Sequence, residues 1–109
     1  MRRINYAGGT IITGDEIAEA LLSYAAALAN ANRAATIHVP VAIESEGSIA
    51  VHPAEVLVGP ASQLVAEPVE WSGSELEDRA FLERVEERTK ALLRTWNGQQ
   101  DNSVLDWDI

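Results

Sequence analysis

Apolar and polar positions divide the chain into short strands and two helices. Ile37, Val39, Val41 and Ile43 alternate with His38, Pro40, Ala42 and Glu44, the period-two spacing of a half-buried strand. Ile49 and Val51 repeat it on a return strand. Pairing Ile43 with Ile49 and Val41 with Val51 requires a three-residue loop, Ser45-Glu46-Gly47, with glycine at the left-handed third position. A two-residue loop would send the two apolar sets to opposite faces. The alternation slips at Pro53, which predicts a bulge that brings Val56 and Val58 back into phase. "GPASQ" reads as a turn with Pro60 at its second position. Leu64 to Trp71 then reads as a third strand, shortened by Pro68.

Ahead of these, "INYAGGTIIT" is two β-favouring runs split by Gly8-Gly9, a hairpin signal because tight turns need positive φ. Ile4, Tyr6 and Ile11 then share one face. "TGDE" pairs Thr13 with Glu16 as a capping box and opens a helix from about Gly14 to Ala31, with Ile17, Leu21, Tyr24 or Ala25, and Leu28 on one stripe. No charge occurs from Ala20 to Asn32. A helix apolar around its circumference is buried on more than one side, so self-association is expected through Ala18, Ala25, Ala26 and Ala29.

"SGSELEDRAFLERVEERTKALLRTW" reads as the second helix. Ser72 with Glu75, or Ser74 with Glu77, forms its capping box, and Asn97-Gly98 ends it. Phe81, Val85, Leu92 and Trp96 form a stripe, with Leu82, Thr89 and Leu93 beside it. The fold class is α+β: an antiparallel sheet, made of a short N-terminal hairpin and a three-stranded meander, packs against two helices in the order β-β-α-β-β-β-α. Residues 1–96 form a single domain and 97–109 a tail. In that tail Leu105, Trp107 and Ile109 alternate with Asp106 and Asp108. With Val104, they are expected to dock as an extended segment on a β edge, the Pro40 strand being one candidate.

From Gly14 to Trp96 the order helix, three strands, helix resembles that of the double-stranded-RNA-binding domain. The resemblance is one of element order. That family relies on a basic start to the second helix for RNA contact, and here "SGSELEDRAF" places Glu75, Glu77 and Asp78 there. The resemblance therefore carries over neither RNA binding nor any site residue.

Seventeen acids against eight Lys and Arg give a net charge of −9. This balance opposes binding to nucleic acid and to anionic membrane surfaces. No apolar run reaches the ~20 residues of a membrane helix, and "MRRINYAGG" lacks the apolar segment of a secretory signal. With no cysteine, disulfides and thiolate sites are excluded, and a cytoplasmic location is expected.

Candidate chemistry is sparse. Asp15 and Glu16 stand where a phosphate would sit, and no Lys follows the glycines as a phosphate loop requires. In the three-residue register His38 and His52 share a face about 7–8 Å apart, yet two ligands are too few for a zinc-type site. No nucleophile motif occurs. The expectation is no catalytic residue, cofactor or metal, and a non-enzymatic interaction or assembly protein, homo-oligomeric and with a protein partner as a further option. The alternatives are a small-molecule-binding or catalytic domain with a pocket between sheet and helices, and an acidic inhibitor or antitoxin of a basic partner.

Overall fold

The computed structural model describes residues 1–99, with side chains through residue 94. The strands are β1 (Arg2–Tyr6), β2 (Gly9–Thr13), β3 (Ala35–Ser45), β4 (Ser48–Val58) and β5 (Val65–Pro68); the helices are α1 (Asp15–Asn30) and α2 (Arg79–Gln99). The order β-β-α-β-β-β-α and the α+β class are as the sequence predicts. The strand pairing is not. The expected three-stranded meander does not form: β5 leaves the β3–β4 hairpin and pairs with β1, giving β2-β1-β5 and β3-β4. The edge of β1 offers Arg3 opposite Glu67 and Ile4 opposite Ala66, an ion pair on one face and an apolar pair on the other. The resemblance in element order therefore does not extend to the sheet.

The N-terminal hairpin turns at Ala7-Gly8, one residue earlier than the predicted Gly8-Gly9, since Tyr6 faces Gly9. Gly47 is the glycine with positive φ, so this turn does not use the left-handed geometry that motivated the prediction. The shift preserves the faces. Ile4 lies opposite Ile11, and Ile4 is fully buried.

The β3–β4 register corrects the largest expectation. Ser45 pairs with Ser48 around a two-residue turn, and the ladder runs unbroken to Ala35 and Val58, with no bulge at Pro53. Glu46 has φ 52° and Gly47 φ 83°, both left-handed as the favoured type I′ turn requires. In such a hairpin the pair flanking the turn is hydrogen bonded, and bonded and non-bonded pairs then alternate. Pro40 falls opposite Pro53 in the non-bonded set. Both ring nitrogens point out of the hairpin, so neither missing N–H costs a rung. The register puts Val56 and Val58 on the buried face with Ile37 and Val39, and it leaves Ile49 and Val51 on the other.

In a non-bonded pair the carbonyl also points away from the partner strand. That of Pro40 accepts a hydrogen bond from Thr13 Oγ1 at 2.7 Å. Thr13 is fully buried and joins β2 to β3; it does not cap α1. The N-cap of α1 is Gly14, with no capping side chain of its own. Instead, the carboxylate of Glu75 accepts the Asp15 N–H. The predicted capping boxes are thus absent at both helices. Asp78 starts α2, its Oδ1 accepting the Phe81 N–H at 3.0 Å, and residues 69–78 before it are irregular. Past the predicted stop at Asn97-Gly98, α2 continues to Gln99.

One core joins these parts. Ile17, Leu21, Tyr24 and Leu28 of α1 and Phe81 and Val85 of α2 pack with Ile4 and the inner face of β3–β4.

Candidate interaction surface

The outer face of β3–β4 carries Thr36, His38, Pro40, Ala42 and Glu44 opposite Leu57, Glu55, Pro53, Val51 and Ile49. Side chains alternate between faces along a strand, so the residues that the register moves outward form one surface. On it Ile49 is 43% exposed, Val51 56% and Leu57 70%. Among the described strands, nothing pairs with the outer edge of β4. Two grooves mark the ends of this surface. One, of about 290 Å³, is lined by Ala42, Ile49, Val51, Trp71 and Leu76. The other, of about 630 Å³, is lined by Tyr6, Leu57, Pro60, Leu64 and Val65 among others, and it carries no charged side chain.

The same register separates the two histidines. His52 lies opposite Val41 and His38 opposite Glu55, so the rings project to opposite faces and cannot share a metal. His38 Nε2 lies 3.6 Å from a Glu55 carboxylate oxygen. No group of three or more His, Asp or Glu able to hold a metal occurs among the described residues.

The four alanines proposed for self-association divide. Ala18 is fully buried within the core, which removes it from any intermolecular face, and Ala25 is half-buried against that core. Ala26 and Ala29 are exposed. The tail residues Val104, Leu105, Trp107 and Ile109 lie outside the described residues. On the Pro40 strand, one candidate edge for them, the Pro40 carbonyl accepts from Thr13 Oγ1, and among the described strands only β4 pairs with it. The Trp96 side chain is likewise outside the description.

Charge is organised at two junctions. The Met1 ammonium lies 2.9 Å from both Asp15 and Glu75, and Arg2 Nε lies 3.3 Å from Asp15. Hydrogen bonding to Glu75 and then Asp15 raises the ammonium pKa. The bond from that ammonium, with Arg2 nearby, holds Asp15 below the usual carboxylate range. Across β1–β5, Glu67 accepts from Arg3 Nη1 at 3.0 Å and Asn5 Nδ2 at 3.1 Å. The Asn5 bond and then the Arg3 bond lower its pKa. Both junctions tie strands and helix ends together; neither sets an acid–base pair against a cleft.

The exposure of Ile49, Val51 and Leu57 was not anticipated. The signal lay in the prolines. The two-residue turn is the register that places Pro40 opposite Pro53, and in the non-bonded set both fit without a bulge. No helix among the described residues is long and apolar enough to cross a membrane. Against known proteins, the chain matches no family model, no curated protein and no solved structure.

Proposed function

We propose that this is a non-enzymatic assembly protein that associates with copies of itself through the outer face of the β3–β4 hairpin. The observation that carries the reading is the register, which turns Ile49, Val51 and Leu57 to solvent. A second copy supplies a matching apolar face, and an isologous contact buries the same patch on both subunits. Exposed apolar patches beyond a few hundred Å² mark interfaces. Ala26 and Ala29 of α1 are a secondary contact in this reading. The net charge of −9 supports no role in nucleic-acid binding. A cytoplasmic setting is in keeping with a chain that lacks cysteine.

Sedimentation velocity on the full chain over a micromolar range tests the proposal. The expected result is a concentration-dependent oligomer that Val51→Glu and Leu57→Glu each dissociate, with circular dichroism unchanged. A wild-type monomer at high micromolar concentration would overturn it.

A further inference from the structure

In a strongly acidic chain, one small cleft lies between two arginines and a strand edge that is free among the described residues. Arg84 and Arg88 of α2 meet Thr36 and His38 of β3 around a space of about 140 Å³, floored by Ile37, Phe81 and Val85. One water accounts for about 30 Å³ of liquid, so the space suits a tetrahedral oxyanion rather than a drug-sized molecule. Arg84 and Arg88 are one helical turn apart. Like charges at this spacing destabilise a helix. Although acids outnumber bases two to one, neither guanidinium pairs with a carboxylate of the described residues, where the arginine ion pairs are those of Arg2 and Arg3.

The backbone adds to this. Thr36 lies opposite Leu57 and His38 opposite Glu55, in the same non-bonded set as the facing prolines. Their N–H and C=O groups therefore point away from β4, along the edge of β3 that helps line the cleft, and they take no other backbone bond among the described residues. Two strand-edge amides and two arginines thus meet around one small space, while the Thr36 and His38 side chains project to the outer face of the hairpin. Glu55, 3.6 Å from His38 Nε2, lies on that outer face. Arginine forks match phosphate oxygens bidentately.

We propose that Arg84, Arg88 and the backbone amides of Thr36 and His38 bind a phosphate group, as the free ion or as a small phosphate monoester. The site uses the β3 edge and α2, not the outer side chains of the self-association face. Binding relieves the repulsion between Arg84 and Arg88 and fills the donors at the β3 edge.

The test is a titration of the full chain with inorganic phosphate, followed by backbone amide NMR and melting temperature, at ionic strength matched with sodium chloride. Matching matters because any salt screens the net charge. The expected result is saturable movement of the Thr36 and His38 amides and a melting temperature above that in chloride. Each of R84Q and R88Q should weaken binding about tenfold, the equivalent of ~1.4 kcal/mol for one charge-assisted bond. The double variant should abolish it. R84K/R88K, which keeps charge without the fork, should bind weakly. Both positions are exposed, so folding can be checked directly by circular dichroism. Titration with glycerol 3-phosphate separates the sources: tighter binding than inorganic phosphate assigns a monoester, weaker binding the free ion. Equal effects of chloride, acetate and phosphate at one ionic strength would overturn the proposal. So would phosphate binding that survives in the R84Q/R88Q variant.

Discussion

Glu75 caps a helix that begins sixty residues before it: its carboxylate accepts the backbone N–H of Asp15. The first amides of a helix have no partner within it, and α1 supplies no capping side chain of its own. The same carboxylate group receives the Met1 ammonium. One exposed acid thereby fixes the start of α1 against the segment that leads into α2. Glu75→Ala should destabilise the fold by about 1 kcal/mol, the usual cost of a lost N-cap. Glu75→Gln keeps an acceptor and should cost less. Urea unfolding of the two variants side by side checks this, and equal losses would rule out the cap.

The Thr13 hydroxyl bond to the Pro40 carbonyl predicts an effect of similar size at the seam between the two strand groups. Thr13→Val keeps the shape of a fully buried side chain and removes the donor, leaving the carbonyl unsatisfied at a cost of about 1–3 kcal/mol. Denaturant unfolding should show a lower midpoint with an unchanged slope.

At the hairpin turn, Gly47 with φ 83° suits glycine and Glu46 with φ 52° does not suit glutamate. Left-handed backbone costs an ordinary L-residue about 1–2 kcal/mol. Gly47→Ala should therefore destabilise, whereas Glu46→Asn should stabilise because asparagine tolerates this conformation. Melting temperatures moving in opposite directions would confirm the type I′ turn. The three-residue loop would make Glu46→Asn neutral.

Acid should weaken the fold through Asp15 and Glu67. Both pKa values lie below their ordinary values of 3.8 and 4.5. A depressed carboxylate contributes stability above its unfolded pKa and loses it as pH falls through the folded value. Their contribution is thus complete at neutral pH and disappears below the ordinary carboxylate range. Melting curves from pH 6 down to pH 3 should fall in that window, and Glu67→Gln should flatten the fall.

Much of the fold was legible because local rules agree with the final structure. The buried stripe of α1, the alternation of Ile37, Val39 and Val41, and the Gly59–Ser62 turn, closed by the Ser62 N–H to Gly59 carbonyl bond at 3.0 Å, all follow from spacing. Legibility failed where distant residues compete. Thr13 and Glu16 satisfy a capping pattern, yet Pro40 takes the Thr13 hydroxyl and Glu75 takes the cap. Ile49 and Val51 satisfy the in-phase pattern, yet Val56 and Val58 occupy the core face and the prolines dictate the register. The cleft at Arg84 and Arg88 was invisible in sequence. It needs β3 beside α2, and residues that far apart carry no spacing signal.

The partnership of β1 with β5 has a consequence for the order in which the chain can fold. Arg2 pairs with Pro68 and Asn5 with Val65, so the middle strand of the first sheet completes its ladder only after most of the chain is available. Closing so long a loop costs entropy before its contacts repay it. During synthesis the first hairpin leaves the ribosome with one side of β1 unsatisfied and waits for a strand translated much later. The β3–β4 hairpin needs only its own residues and can form at once. Nucleation is therefore expected in the middle of the chain, with the N-terminal strands joining last.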